Sequence, residues 1–223
     1  MDSMNLDKPA ILVATTNPGK LAELTAMLGE LAEQVLWKTL SDFPHLPAVP
    51  EDGDTFAANA RKKALGYARG SGLLTLADDS GLVIDALGGK PGVHSARFAA
   101  EDYSIRGEQP DRKTIDRLNY EKVLRLLKGV PPRQRTARFV CRLCLADAEQ
   151  VLLETEGTVE GFITEEPLGE NGFGYDPIFW LPSLKKTAAQ LPAEEKNRIS
   201  HRARAVGNLK PLLENLLRTL RSG

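Results

Sequence analysis

Asp78 and Asp79 stand side by side in ADDSG, followed by Ser80 and Gly81. On an extended chain adjacent side chains face opposite ways, so one carboxylate can enter a site while the other stays structural. A strand-end carboxylate followed by Ser and Gly suits Mg²⁺, which takes one or two carboxylates together with phosphate oxygens of a substrate. The same four residues also suit a hairpin turn, where Asp, Ser and Gly are favoured for local backbone reasons. Glu51, Asp52 and Asp54 in PEDGDTF are a second source of metal ligands, or a plain solvated acidic loop.

The segment ATTNPGKLAEL has the outline of a phosphate-binding turn: an apolar run, a small polar loop, then Gly19-Lys20 and a helical pattern. It lacks the P-loop spacing, with no glycine five positions earlier and no Ser or Thr after the lysine. Backbone N–H groups at a helix start suit an anion without that spacing. Gly19 lets a phosphate approach the backbone, Lys20 adds a point charge, and Thr15, Thr16 and Asn17 add short donors. An ordinary capped helix start explains the same residues, with Asn17 as cap and Pro18 at the first helical position.

Two later stretches carry further candidates. NGFGYDPIF sets Gly172 and Gly174 around Phe173, followed by Tyr175 and Asp176. Glycines allow close backbone approach, an aromatic ring offers a stacking face, and a carboxylate accepts hydrogen bonds from a base edge. EEKNRISHRARA places Lys196, Ser200, His201 and Arg202 just before and at the start of the last helix, which Ser200 could cap. Cations there oppose the helix dipole, which points to an anion nearby or to a solvated basic face. No Ser–His–Asp set is identifiable; Ser80 and Ser95 have no assignable base.

Elements must bring these pieces together. Residues 10–14 read as a buried strand, and Leu21, Leu24, Leu28 and Leu31 as the stripe of an amphipathic helix. A second strand is expected over 35–38, then a proline-rich loop, then a helix capped by Thr55 and stopped at Gly70. LLTLADDSGLVIDAL reads as two strand-like runs around a tight Asp-Asp-Ser-Gly turn. A helix is expected around 114–128, two strands joined at DAEQ, and a last helix with a stripe of Leu209, Leu212, Leu213, Leu216, Leu217 and Leu220. Pro211 should kink that helix or split it. Cys141 and Cys144 lie three apart on a strand and so on opposite faces, which suits neither a disulfide nor a metal pair. The class is α/β or α+β.

Composition narrows the partners. The chain has 223 residues, 42% hydrophobic and 26% charged, with 29 Lys plus Arg against 30 Asp plus Glu. A net charge of −1 gives no bulk attraction to nucleic acid or to a membrane, so an anion site must be local. No apolar run approaches a membrane span, and the N-terminus lacks the pattern of a signal peptide. A cytoplasmic protein is expected.

The segments TTNPGKLAEL, EDGDTFAANA, ADDSGLVIDALGGKPGVHSARFA, NGFGYDPIF and EEKNRISHRARA occur in that order. This series resembles the noncanonical purine nucleoside triphosphate pyrophosphatase family, the inosine/xanthosine (dITP/XTP) triphosphate pyrophosphatases. The resemblance runs from about residue 10 to about residue 218. It implies an α/β fold: an elongated mixed β-sheet flanked by helices, in two lobes with a central active-site cleft. Residues 1–9 would be a tail and 10–220 one two-lobed domain. It implies a homodimer, a need for Mg²⁺, and hydrolysis of ITP, dITP and XTP to the monophosphate and pyrophosphate, clearing deaminated purines from the nucleotide pool.

By the same resemblance, Thr15, Thr16, Asn17, Pro18, Gly19 and Lys20 bind the triphosphate. Asp79 is general base and metal ligand, and Ser80 touches substrate. Phe173, Gly174, Tyr175 and Asp176 bind the nucleoside, Lys196 contacts substrate, and His201 with Arg202 helps select the base. One departure concerns the metal. Many members have two acids before the turn leading to TF-x-x-NA, and here Pro50 takes the place of the first. Glu51 becomes the candidate second ligand, or Asp79 and substrate oxygens hold the metal. The stretch 104–119 looks longer than usual and has no assigned role. Hypoxanthine and xanthine present a carbonyl at the six-position where adenine presents an amino group, so donors from His201, Arg202 or loop N–H groups would favour the carbonyl. Two other readings stay open: a pyrophosphatase for modified pyrimidine nucleotides, and a nucleotide-binding module without turnover.

Overall fold

The short apolar run near the N-terminus becomes strand β1 (Ala10–Val13), and Ile11 and Leu12 lose all contact with solvent. The computed structural model describes residues 8–15, 18–100 and 110–222. β1 pairs in parallel with β2 (Leu36–Thr39) on one side and β3 (Leu74–Ile84) on the other. Parallel strands need long crossovers, and helices supply them. Helix α1 (Pro18–Leu28) precedes β2, and α2 (Phe56–Ser71) precedes β3. Four further strands follow: β4 (Thr136–Ala146), β5 (Val151–Ile163), β6 (Phe179–Leu181) and β7 (Lys186–Thr187). The sheet runs β2-β1-β3-β4-β5-β6-β7. β5–β6 and β6–β7 are antiparallel, so the sheet is mixed. Helices α3 (Arg112–Leu126), α4 (Ala193–Ile199) and α5 (His201–Ser222) complete the α/β fold.

The chain forms two compact units. The first combines 1–79, 141–157 and 201–223; the second combines 80–140 and 158–200. The first unit's core gathers Ile11, Val13, Leu24, Leu28, Leu76, Leu143, Leu145, Leu209, Leu213 and Leu217. The expected α1 stripe is present: Leu24 and Leu28 are buried, and Leu21 and Leu31 pack against them. The second unit's core holds Leu82, Ile84, Val123, Leu127, Ile178, Phe179 and Leu191.

Several local expectations need correction. ADDSG does not turn; β3 runs straight through it for eleven residues. Apolar side chains before and after bury in two separate cores, and that burial holds the polar middle extended. Thr55 caps α2 through Ala58 N–H, as expected, but Gly70 does not stop it. The stop is Gly72, in the left-handed region at φ 70° where a side chain is disfavoured. Of the kink or split expected at Pro211, the split does not occur: Pro211 lies inside α5 without ending it. The residue four earlier is the exposed Gly207, so solvent can take up the carbonyl that proline leaves unbonded. Of the six leucines of the last helix, Leu209, Leu213 and Leu217 face the core and Leu216 packs against it, while Leu212 and Leu220 are exposed. One helical face is narrower than the run of leucines. The two strands do meet at DAEQ, where Asp147 N–H donates to Gln150 O and the Asp147 carboxylate accepts from Glu149 and Gln150 N–H.

Candidate active site

Asp79 is the last residue of the first unit's stretch of β3, and it is buried. Asn59 and Lys63 on α2 are one turn apart and both reach it, as side chains at i and i+4 share a helix face. Asn59 Nδ2 donates to Asp79 Oδ2 at 3.0 Å, while Asn59 Oδ1 accepts from Gly53 N–H at 2.8 Å. One amide therefore ties the acidic loop to the strand. A Cβ on Gly53 would lie 2.8 Å from Asn59 Oδ1, so this position needs glycine. Lys63 Nζ lies 3.3 Å from Glu51 Oε2 and 3.8 Å from Asp79 Oδ1, with little of its side chain exposed. Burial pushes the Asp79 carboxyl above its ordinary value; Lys63 and Asn59 pull it back, and Glu51 and Asp78 push it up again.

Asp78, on the other face of β3, meets Arg202 in the first turn of α5. Arg202 donates to Glu23 of α1 at 3.0 Å and lies 3.6 Å from Asp78. Burial opposes the charge on Arg202, but Asp78 and Glu23 outweigh it and hold the guanidinium above its ordinary value.

In the second unit, Asp176 is buried, and its Oδ2 accepts from Phe173 N–H at 2.8 Å and from Lys196 Nζ. Burial raises the Asp176 carboxyl, with Asp116 adding to the rise and Lys196 opposing it. Lys196 Nζ also stands 4.4 Å from the centroid of the Phe173 ring, a cation–π contact. Phe173 itself is exposed. Gly172 and Gly174 have φ of 77° and 61°. A Cβ on Gly172 would come within 2.1 Å of Asp176 Oδ2.

These are the pieces of the motif series, carried on a matching fold. The sequence model of the Ham1 family matches residues 11–212. The chain belongs to the Ham1 family. It is 48% identical over 206 residues to the dITP/XTP pyrophosphatase of Shouchella clausii (strain KSM-K16), covering 92% of this chain and 97% of that protein. It is 47% identical over 203 residues to the dITP/XTP pyrophosphatase of Bacillus subtilis (strain 168), covering 91% and 96%. Among solved structures, a HAM1 protein from Coxiella burnetii matches with a TM-score of 0.80 at 38% identity, covering 93% of this chain and 99% of that one. The Ham1 protein of Staphylococcus aureus matches with a TM-score of 0.80 at 37% identity, over 93% and 99%.

The structure of this Ham1-family chain gathers some of the expected residues and leaves others apart. Asp79 and Glu51 converge on Lys63. Phe173, Gly174, Asp176 and Lys196 form one cluster. Ser80 is half-buried beside Asp79 on β3. Tyr175 lies beneath the cluster, buried, with its hydroxyl donating to Ser95 O at 2.7 Å. Thr15 is buried at the end of β1, and its carbonyl accepts from Leu40 N–H. Thr16 and Asn17 lie outside the described residues; Pro18, Gly19 and Lys20 form the first turn of α1, and their side chains lie outside them too. His201 opens α5. Lys196 lies just before the last helix, in the last turn of α4, where the dipole favours a cation. Its anionic partner there is the buried Asp176 carboxylate.

Sequence reasoning missed Asn59, Lys63, Glu23 and Asp116. The signal for the first two was available: they are polar positions on an α2 face otherwise buried as Ala60, Ala64 and Ala68. Cys141 and Cys144 form no disulfide and are buried in different core clusters, on opposite faces as expected.

Among the described residues no three His, Cys, Asp or Glu side chains gather as a metal cage. Mg²⁺ does not need one. It binds through one or two carboxylates and completes its shell with waters and substrate phosphates. Asp79 and Glu51, converging on a point that already accommodates an ammonium group, fit that donor set.

Proposed function

We infer that this chain hydrolyses dITP, ITP and XTP to the nucleoside monophosphate and pyrophosphate, with Mg²⁺ held by Asp79 and Glu51. The observation that carries this reading is Asp79: a buried carboxylate raised above its ordinary value, with Glu51 converging on the same cation. The dITP/XTP pyrophosphatases that match this chain over nine-tenths of its length support the substrate class.

A triphosphate brings about four negative charges, so most of the catalytic work is positioning and neutralisation. Bound Mg²⁺ would supply neutralisation of the phosphate oxygens. Lys63 adds a buried positive charge beside Asp79, and the opening of α1 offers backbone N–H groups and Lys20. Asp79 orients the attacking water toward the α-phosphorus and takes up its proton. Its place beside Lys63 and Asn59 fixes the direction from which it can accept that proton. Asn59 keeps Asp79 and the Glu51 loop in register. The nucleoside is the task of the second cluster: the exposed Phe173 ring offers a stacking face, and Asp176 with Lys196 offers an acceptor and a donor. His201 and Arg202 supply donors for the six-position carbonyl. A homodimer in the cytoplasm belongs to the same proposal; light scattering should then give twice the chain mass, and a mass of one chain would overturn the dimer.

The deciding assay incubates the protein with Mg²⁺ and ITP, XTP, GTP or ATP and follows pyrophosphate. Faster release from ITP and XTP than from GTP and ATP is expected. Equal rates on all four, or release of single phosphate, would overturn the reading.

A further inference from the structure

Phe173 is 56% exposed, more than any other large apolar side chain among the described residues. Apolar packing therefore does little to aim its ring, which is touched by the Lys196 ammonium 4.4 Å from its centroid. The flanking glycines do not aim it either, because Gly172 and Gly174 are conformationally permissive. Hydrogen bonds fix the backbone that carries it. The peptide before Phe173 is held by Asp176, which accepts from Phe173 N–H at 2.8 Å. The peptide after it is held by Asp116, whose Oδ2 accepts from Gly174 N–H at 2.8 Å. Each peptide is a rigid plane, so fixing both sets φ and ψ of Phe173 and the direction of its Cα–Cβ bond.

Asp116 is placed for this. It projects from α3 and is buried. Its Oδ1 lies 3.0 Å from Arg112 Nε, one turn earlier, in ion-pair contact without hydrogen-bond alignment. One turn later on the same helix, Asn119 accepts from Ala99 N–H and donates to Ser95 O and Ala96 O. The Ser95 carbonyl also receives the Tyr175 hydroxyl. Helix α3 thus supports residues 173–175 twice, directly through Asp116 and through Ser95.

We propose that Asp116 is a positioning residue of the substrate site, holding the Phe173–Gly174 peptide so that the Phe173 ring is aimed to stack on a purine base. The inference rests on the reading of Phe173 as a base contact. It assigns work to part of the stretch 104–119.

The test measures pyrophosphate release from ITP with Mg²⁺ for the wild type, Asp116→Ala, Asp116→Asn, Phe173→Ala and the Asp116→Ala/Phe173→Ala double variant. Asp116→Ala should raise KM roughly tenfold, within the range of one base–aromatic stacking contact, with kcat within about threefold of wild type. Asp116→Asn keeps an oxygen for Gly174 N–H and should stay within about threefold of the wild-type KM. Asp116→Ala should add less than about twofold once Phe173 is already alanine, because the two act through one contact. Should Asp116→Ala fail to fold, Asp116→Glu, one methylene too long for this hydrogen bond, should show the same rise in KM. An unchanged KM in the folded variant overturns the inference. So does an equal rise whether or not Phe173 is present, or an Asn variant as impaired as the Ala variant. A wild-type protein that releases no pyrophosphate from ITP sinks the functional reading, and the inference with it; wild-type turnover with an unchanged variant KM sinks the inference alone.

Discussion

At the scale of residues, the acidic pair on β3 shows how one sequence feature divides into two tasks. Asp78 and Asp79 point to opposite faces of an extended strand, as their adjacency requires. Asp78 neutralises Arg202; Asp79 enters the cluster of Asn59, Lys63 and Glu51. Burial raises Asp79 above its ordinary value of 3.8, so without metal the folded protein holds that proton more tightly than the unfolded chain does. That contribution to stability is present below the ordinary value and is lost as pH rises through the raised one. Asp79→Asn removes the buried charge. In metal-free protein, the variant should lose less thermal stability than wild type as pH rises above the ordinary aspartate value of 3.8, as calorimetry would read. Turnover of ITP should fall about a thousandfold. A variant that is both active and destabilised would remove Asp79 from the mechanism.

At the scale of elements, two contacts decide how the first unit is built. Gly157 of β5 lies against α5: a Cβ there would fall 2.0 Å from His201 O and 2.3 Å from Ala205 N. Both obstacles are backbone, so the helix itself would have to move. Gly157→Ala should cost about 3 kcal/mol or more in chemical denaturation, at the upper end of overpacking effects. A cost under about 1 kcal/mol would show that α5 yields easily. Strand β4 carries the two cysteines. Burial, with some help from Glu154, pushes the Cys144 thiol up to about 12. The thiolate is the reactive form, so Cys144 should resist alkylation in native protein at neutral pH and react on unfolding. Rapid native labelling of Cys144, located by mass spectrometry, would contradict the burial of that strand face.

At the scale of the molecule, the first unit is assembled from three separated stretches. Its core joins Ile11, Val13, Leu24, Leu28 and Leu76 from the first stretch to Leu143 and Leu145 from the second and to Leu209, Leu213 and Leu217 from the third. A fragment ending at Asp79 keeps the parallel strands but loses the apolar surfaces that cover them. It should show little cooperative unfolding by circular dichroism, because parallel sheets need both faces buried. Cooperative melting of that fragment would mean the first stretch holds a sufficient core by itself.

Much of this was legible in the chain. The strand–loop–helix opening, the α1 stripe, the Thr55 cap and the identity of the motif series follow from side-chain period, cap chemistry and order along the sequence, all of which are local properties. The acids Asp79 and Glu51, the Phe173–Asp176 segment and Lys196 were visible as residue types suited to phosphate and base. Other features were decided only when distant stretches met. ADDSG remains a strand because two cores grip its ends, although its residues favour a turn. Lys196 pairs with Asp176 because α4 ends where it does. Asn59, Lys63 and Asp116 acquire work only because helices bring them to Asp79 and to Gly174. A single side chain's chemistry can be read from its type, but its partner is set by tertiary packing, which places groups tens of residues apart within about 3 Å.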